Sequence, residues 1–293
     1  MPEQYLKPIF FCSGMASGGT TLVSWCFLQR SDMDGALDVA GNRPLAVPLV
    51  SSPFIWYKMA IQFFRWIEMA AILEQWGYQD IRPLLVVRDI RAALVSLEGK
   101  PYGRKSLPPR VRCLRFLEDW RLFKDKGWPI LRYESLIENP RDTLRAACEA
   151  MELEWSEAMM TFPKRKEDLA YCEHGNDSFF ASLNPKGLEA TVLEYQQRAA
   201  QRHFSGLAQE DVVWLDEVFA SYNACHDYPH DGSRFIQQCA VPWSKDIESY
   251  DDPAYRLSAS ANLYRLKNHP VFGRLIPAWR RFINHNFVIF PEE

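Results

Sequence analysis

A glycine-rich stretch near the amino end of the chain has the residue types of an anion-binding loop. Gly14 and Gly19 follow an apolar run, and Thr20 and Thr21 open the apolar pattern of a helix. The backbone N–H groups of such a turn can surround a phosphate, and the positive end of the helix dipole adds to the attraction. The sequence therefore predicts a phosphate cradle between a strand and a helix.

The cradle differs from the nucleotide-binding P-loop, G-x-x-x-x-G-K-[ST], at one informative position. Gly14 and Gly19 have the P-loop spacing, and Thr21 stands at its hydroxyl position. Thr20, however, occupies the place of the lysine that reaches the distal phosphates of ATP. The pattern favours a phosphate ligand other than a nucleoside triphosphate.

A second candidate anion site follows another apolar run. Arg88 comes directly after this run, and Ser96 follows about two helical turns later. Open α/β sheets bind ligands at the carboxyl ends of their strands, and a guanidinium with a hydroxyl can hold a phosphate. The alternative is that Arg88 pairs with Asp89 and that Ser96 is a surface residue.

The elements that position these residues alternate along the chain. Apolar runs predict strands, and amphipathic or capped segments predict helices. The alternation favours a parallel sheet with helices on both faces. We expect a first domain over residues 1–228 and a helical C-terminal extension over 229–293. The predicted strands are 6–13, 83–87 and 129–133, the predicted helices are 20–29, 54–76, 90–97, 110–126, 139–151 and 205–223, and 31–42 is predicted to be a loop.

Composition restricts the class of protein. The 293 residues are 47% hydrophobic and carry a net charge of −3, which supports a large core and gives no indication of nucleic-acid binding. The seven cysteines form no C-x-x-C pair, so we expect reduced thiols in a cytoplasmic protein. We expect no secretory signal and no membrane-spanning helix. A zinc site is a remote alternative, with the irregularly spaced ligands Cys172, His174, Cys225, His226 and His230.

Three motifs together resemble one enzyme family. Residues 14–21 are similar to the 5′-phosphosulfate loop of sulfotransferases that use 3′-phosphoadenosine 5′-phosphosulfate (PAPS). Residues 86–91 with Ser96 resemble the 3′-phosphate motif of that family, and Arg132-Tyr133-Glu134 with Pro140 resembles its later "R-Y-E-x-L … P" strand and turn. The resemblance is good over residues 6–153 and fades through 228. It implies a P-loop-like three-layer α/β sandwich. It also implies an enzyme that uses PAPS as co-substrate and needs no metal.

The resemblance also implies roles for individual residues. The backbone amides of residues 17–21 (Ser17, Gly18, Gly19, Thr20 and Thr21), with the two threonine hydroxyls, would hold the 5′-phosphosulfate. Arg88 and Ser96 would hold the 3′-phosphate. Lys186 and Gly187 are candidates for a late basic-glycine element of the 3′-phosphate site, with an ordinary surface turn as the alternative.

One departure from the family pattern bears on catalysis. Family members usually have lysine or arginine where this chain has Ser17. Negative charge builds on the leaving oxygen during sulfuryl transfer, and a cation there stabilises the transition state. We favour substitution by another cation, with Arg43, Lys58, Arg104 and Lys105 as candidates. A slow enzyme, or a protein that binds the nucleotide without turnover, are the alternatives.

An acceptor hydroxyl also needs a general base. Asp38 is the preferred candidate because some bacterial carbohydrate sulfotransferases place a carboxylate at about this distance after the loop. Asp34 comes next, and Glu68, Glu74 and His174 are further candidates. The alternative is that the loop acids are solvated turn residues.

The last predictions concern the acceptor and the partners. We expect transfer to a hydroxyl or amine of a carbohydrate or small molecule. Residues 254–291 contain six lysines and arginines and no acid, a composition that suits an anionic membrane surface. The alternative is a terminal helix packed on the domain, its cations reaching water. A P-loop kinase and a nucleotide-binding module without catalysis are the competing functions.

Overall fold

The computed structural model describes residues 7–39, 47, 50–61, 64–98, 108–172, 177–201 and 205–243. Five strands in this part of the chain form one sheet in the order β2-β3-β1-β4-β5, and every neighbouring pair is parallel. The predicted α/β fold, a P-loop-like sandwich around a central parallel sheet, is confirmed. The strands are β1 (Ile9–Met15), β2 (Met33–Val39), β3 (Phe54–Ile61), β4 (Ile81–Val87) and β5 (Ile130–Arg132).

Helices cover both faces of the sheet. Successive strand residues point to opposite faces, so β1 contributes to two cores: Phe11 stacks on Trp66 on one side, and Phe10 lies with Val23 on the other. The described helices are α1 (Thr20–Leu28), α2 (Trp66–Gln75), α3 (Ile90–Glu98), α4 (Pro109–Lys126), α5 (Tyr133–Glu138), α6 (Pro140–Ala150), α7 (Ala158–Thr161), α8 (Asp177–Phe180), α9 (Leu188–Gln201), α10 (Gln209–Val218) and α11 (Ala220–Cys225).

Two predicted elements were wrong. The predicted loop at 31–42 contains strand β2, and the predicted helix at 54–76 is strand β3 followed by helix α2. Strand β3 is buried on both faces, so it shows no alternation of polar and apolar residues. Periodicity alone cannot distinguish such a run from a buried helix. The aromatic side chains of Trp56, Phe64 and Trp66 are buried.

The exposed edge of β2 is covered by a later segment. Tyr171 bridges to Ala36, and the Leu37 N–H donates to the Tyr171 carbonyl at 3.1 Å. The polar composition of β2 reflects this position at the side of the sheet, where its backbone still finds hydrogen-bond partners.

The carboxyl ends of the strands meet at one edge of the sheet. Residue pairs at these ends include Met15 with Ile61 and Val87 with Arg132. The cradle follows β1, Arg88 follows β4, and Tyr133 follows β5. The topology therefore brings the two predicted anion sites to the same edge.

The last described segments pack on the same core. The predicted helix at 205–223 is divided into α10 and α11, and the first of these begins at Gln209. Beyond it, Phe235 and Trp243 are buried in the core that contains α10. Residues 244–293, with the basic segment, lie outside the described residues, so the predicted boundary at 228 stays a prediction. No described helix is long and apolar enough to cross a bilayer.

A buried carboxylate between α2 and α4 gives a stability prediction. Asp119 accepts hydrogen bonds from the Trp66 N–H at 2.6 Å and from Arg65 Nε at 3.1 Å. Burial nevertheless raises the pKa of Asp119 from 3.8 to about 6. The unfolded carboxyl loses its proton first, so the folded state binds the proton more tightly between these pH values.

We expect this site to stabilise the fold fully below about pH 4 and to contribute less as pH rises through 6. The free energy of unfolding should fall by about 1–3 kcal/mol over that range. The Asp119→Asn variant should lack this component, and Asp125→Asn, at an exposed position of the same helix, should keep it. Urea unfolding across the pH range measures the difference. The same dependence of the free energy of unfolding on pH in the wild type and both variants would contradict the prediction.

Candidate functional site

The cradle has an open helix end at its base. The Gly18 N–H donates to the Met15 carbonyl at 2.8 Å, which closes the turn after β1. Gly19 is the N-cap of α1, with φ of 93°, and no side chain caps this helix. The amides of the first helical turn have no acceptor within the helix, and its first turn contains no acidic residue. An anion is the natural partner of such an end.

Ser17 forms the wall of the cradle. Its backbone is left-handed, with φ of 65°. Its hydroxyl is buried and meets no hydrogen-bond partner among the residues that the structure describes. A buried hydroxyl without a partner is costly, and an anion in the cradle would accept its hydrogen bond. Ser17 therefore offers the cradle a donor without charge.

Arg88 reaches from the end of β4 back to the cradle. Its Nη1 donates to the Ser17 carbonyl at 2.8 Å. The guanidinium lies over the ring of Tyr133, 4.8 Å from its centroid. The same ring packs against Gly19, where a Cβ added to the glycine would be 2.1 Å from Tyr133 Cδ2. One aromatic ring therefore joins the two predicted anion sites.

The carboxylate next to Arg88 does not neutralise it. Asp89 caps α3 by accepting from the Arg91 N–H at 3.0 Å, and it pairs with Arg91 Nε at 2.9 Å. Arg91 is fully buried and also pairs with Asp216. The alternative in which Asp89 pairs with Arg88 is thus wrong, and the Arg88 guanidinium points to the cradle.

Lys58 brings a second cation to the cradle. It lies on β3 opposite Cys12 of β1 and is 3% exposed. Its Nζ donates to Asp38 Oδ1 at 2.6 Å and to Thr21 Oγ1 at 3.3 Å. Burial raises the pKa of Cys12 to about 12, so this neighbouring thiol stays neutral. The ammonium group of Lys58 therefore lies between a carboxylate and the hydroxyl at the start of α1.

The other three candidate cations and one candidate base lie outside the described residues. These are Arg43, Arg104, Lys105 and His174. Of the four candidate cations, Lys58 is the one whose position is described.

The remaining candidate bases lie in different surroundings. Asp38 is next to Lys58 at the carboxyl end of β2. Asp34 pairs in register with Ile55 nearer the amino end, where its Oδ1 accepts from the Gly35 and Ala170 N–H groups at 2.7 and 3.1 Å. Glu68 accepts from the Arg65 N–H in the capping box of α2, and Glu74 is exposed on that helix. Asp38 is the one of these four that contacts Lys58, the described cation at the cradle.

The remaining predicted 3′-phosphate residues lie on two different elements. Ser96 is half-buried on α3, on the helix that starts just after Arg88. Lys186 and Gly187 form the turn before α9, where a Cβ on Gly187 would meet the Met160 carbonyl at 2.2 Å. Thr191 Oγ1 also donates to the Gly187 carbonyl at 2.8 Å. The described contacts of this turn are with α7 and α9 and not with Arg88.

The described part of the chain contains no cluster of three His, Cys, Asp or Glu side chains suited to a metal ion. His226, from the remote zinc alternative, accepts a hydrogen bond from Trp120 Nε1 at 2.9 Å. Burial, with Arg132 nearby, lowers the pKa of His226 to about 4, so the imidazole is neutral at pH 7. Its described role is in the aromatic core.

The contact between Gly19 and Tyr133 gives a second stability prediction. Gly19→Ala adds a methyl group that meets the ring and forces a left-handed residue to carry a Cβ. Gly127→Ala is a matched control, because Gly127 also has positive φ but a Cβ there has nothing within 4 Å. We expect Gly19→Ala to destabilise by about 3 kcal/mol or more and Gly127→Ala by about 1 kcal/mol. Urea unfolding measures both. Equal losses of stability in the two variants would show that the Tyr133 ring moves aside at no cost and would contradict the prediction.

No protein-family model and no curated protein matches the chain. Among solved structures, the chain is similar to the sulfotransferase domain of the Synechococcus PCC 7002 olefin synthase, with 12% identity, 68% of this chain and 97% of that chain covered, and a TM-score of 0.42.

Two further structures are also similar. Mouse sulfotransferase SULT7A1 complexed with PAP has 10% identity, 77% of this chain and 91% of that chain covered, and a TM-score of 0.42. A sulfotransferase from Alicyclobacillus acidocaldarius has 14% identity, 67% of this chain and 99% of that chain covered, and a TM-score of 0.36. The ligand of the present cradle has to be inferred from its own residues.

Proposed function

We propose that this protein transfers a sulfuryl group from PAPS to a hydroxyl or amine of a carbohydrate or small-molecule acceptor. The observation that carries the proposal is the hydrogen bond from Arg88 to the Ser17 carbonyl. It places a guanidinium beside an open helix end that suits an anion. A ligand that uses both needs two separate anionic groups a short distance apart.

PAPS has this distribution of charge. Its 5′-phosphosulfate would lie on the amides of residues 17–21, with the hydroxyls of Ser17, Thr20 and Thr21 as further donors. Its 3′-phosphate would lie against Arg88, and Ser96 is the proposed second contact. The role of Lys186 and Gly187 in this site is weaker, because the packing of Gly187 on the Met160 carbonyl already accounts for that glycine.

The proposed reaction is an in-line displacement at sulfur. The acceptor oxygen forms a bond to sulfur while the bond from sulfur to the bridging oxygen breaks, and 3′-phosphoadenosine 5′-phosphate (PAP) leaves with that electron pair. Lys58 would stabilise the negative charge on the leaving oxygen, because its ammonium group already lies at Thr21 beside the cradle. Lys58 would thus be the cation that substitutes for the one lacking at residue 17.

Asp38 is the proposed general base. Its carboxylate lies 2.6 Å from the Lys58 ammonium, on the strand next to the one that carries this lysine. It would accept the proton that the acceptor hydroxyl loses as the bond to sulfur forms. Asp34 is a weaker candidate, because its oxygen already accepts two backbone hydrogen bonds in the described structure.

A kinase is the second candidate and is disfavoured by specific residues. P-loop kinases use a loop lysine and a magnesium ion on the loop hydroxyl. Here Thr20 replaces the lysine, and the Lys58 ammonium lies at the Thr21 hydroxyl. A nucleotide-binding module without turnover would differ from the enzyme in that Lys58 stabilises no leaving group and Asp38 deprotonates no acceptor.

The same proposal includes a carbohydrate or small-molecule acceptor and a cytoplasmic location. It also includes contact of the basic segment at 254–291 with an anionic membrane surface. No nucleic acid is proposed as a partner, because the net charge of −3 offers no bulk attraction to a polyanion.

Two measurements test the proposed function. Isothermal titration calorimetry should show binding of PAP and not of ATP with magnesium; the reverse result would favour the kinase. Incubation with labelled PAPS and a pool of glycans and phenols should then release PAP and label one acceptor class. Binding of PAP without release would leave the binding module, and no binding of PAP at all would falsify the central proposal.

A further inference from the structure

The two residues after β4 leave the sheet and need other hydrogen-bond partners. The register of β4 ends with Val86 against β1 and with Val87 against β5. Helix α3 begins only at Ile90. The Asp89 carbonyl already accepts from the Ala93 N–H at 3.0 Å. The Arg88 N–H, the Arg88 carbonyl and the Asp89 N–H lie between the last ladder bond and this first helical bond, and side chains satisfy them.

A tyrosine from α11 satisfies both groups of Arg88. The Tyr222 hydroxyl accepts from the Arg88 N–H at 3.1 Å and donates to the Arg88 carbonyl at 2.7 Å. Tyr222 is fully buried, and its ring is held edge-on by Phe116, Trp120 and Phe219. Burial raises the pKa of Tyr222 well above its ordinary value, so the hydroxyl keeps the proton that it donates.

A second tyrosine acts on Asp89 through a carboxylate. Glu134 Oε1 accepts from the Asp89 N–H at 3.0 Å, and Tyr228 donates to Glu134 Oε2 at 2.8 Å. The rings of Tyr222 and Tyr228 are 5.6 Å apart. We call Tyr222, Tyr228 and Glu134 the tyrosine clamp.

We infer that the tyrosine clamp positions the Arg88 guanidinium and thereby sets the preference of the cradle for nucleotides that carry a 3′-phosphate. The inference rests on the proposed function. It adds two tyrosines from the late segment 222–228, which the sequence did not indicate, to Glu134 of the R-Y-E motif. A guanidinium recognises phosphate through a fixed fork of donors, so a small rotation of its backbone misdirects both donors. Tyr222 acts through Arg88 and is not itself a contact of the ligand.

The test compares PAP with AMP, which differ only in the 3′-phosphate. Tyr222→Phe keeps the ring and removes both hydrogen bonds to Arg88. We expect its affinity for PAP to fall by roughly 5- to 30-fold with little change for AMP, so that the ratio of the two affinities falls. Tyr228→Phe should lower the ratio less, because its effect passes through Glu134. Tyr78→Phe, a buried tyrosine beside the amino end of β4, is the matched control and should keep the wild-type ratio.

A second measurement needs no nucleotide. The Arg88 amide should exchange its hydrogen faster in Tyr222→Phe than in the wild type, while amides in the middle of β1 stay protected. Unchanged exchange at Arg88, or an equal loss of affinity for PAP and AMP, would overturn the clamp. Failure of the wild type to bind PAP would instead overturn the proposed function, and the exchange result would still decide whether the clamp holds Arg88.

Discussion

The Arg88→Ala variant should lose most of its affinity for PAP and keep its affinity for AMP. The guanidinium lies over Tyr133 and is not paired with its neighbour Asp89, which binds Arg91. A charge-assisted hydrogen bond contributes about 1.5–3 kcal/mol, and a guanidinium can form two of them with one phosphate. We therefore expect PAP to bind about 10²–10⁴-fold more weakly. Calorimetric titration with both nucleotides measures the change.

Arg88→Lys is the matched control for charge. Lysine keeps the positive charge but lacks the planar fork and cannot both reach the Ser17 carbonyl and hold a phosphate in the same way. Its affinity for PAP should lie between those of the wild type and Arg88→Ala. Equal binding of PAP by all three proteins, with unchanged unfolding midpoints, would show that Arg88 does not contact the 3′-phosphate.

The local parts of this site could be predicted from the sequence. A strand, a glycine-rich turn and a helix follow one another within residues 9–28, so the cradle depends only on neighbours in the chain. Arg88 was found in the same way, because the end of a buried strand is visible as the end of an apolar run. Because the carboxyl ends of parallel strands share one edge, a parallel sheet is sufficient to place both regions at that edge.

The contacts between distant segments could not be predicted. Lys58 was one of four candidate cations, because its strand was mistaken for part of a helix and its register against β1 was unknown. The position of Asp38 next to Lys58 depends in turn on strand β2, and the sequence of β2 has the composition of a loop. Tyr222 is 134 residues from Arg88 in the chain. No local spacing specifies such a contact; it results from the packing of α11 against the end of β4.

Asp89 shows how a local pattern can be misinterpreted. The sequence Arg88-Asp89 suggests a pair of neighbours, yet the Arg88 guanidinium donates to the Ser17 carbonyl. Asp89 instead caps α3 and pairs with Arg91, two residues later. The cap releases Arg88 for the cradle, so a residue with a structural role decides the availability of one with a proposed binding role.

The Lys58→Met variant should bind PAP nearly as well as the wild type and turn over far more slowly. Methionine keeps most of the apolar stem but removes the ammonium group from Thr21 and Asp38. An interaction that strengthens only as charge builds on the leaving oxygen affects kcat more than binding. We expect kcat to fall by about 10²–10³-fold and the affinity for PAP by less than tenfold. Release of PAP from labelled PAPS, with the acceptor identified in the screen, measures kcat.

Because Lys58 pairs with Asp38, the control for this variant is a double-mutant cycle. Lys58→Met leaves a partly buried carboxylate without its ammonium partner, so the variant should also be less stable by about 1–3 kcal/mol. Asp38→Asn together with Lys58→Met should restore much of this stability but not the rate. If catalysis recovers with stability in the double variant, neither proposed catalytic role holds: the lysine serves only to neutralise Asp38, and other groups stabilise the leaving oxygen and accept the proton. If the double variant stays as slow as the slower single variant, the ion pair acts as one catalytic unit, with Lys58 on the leaving group and Asp38 on the acceptor proton.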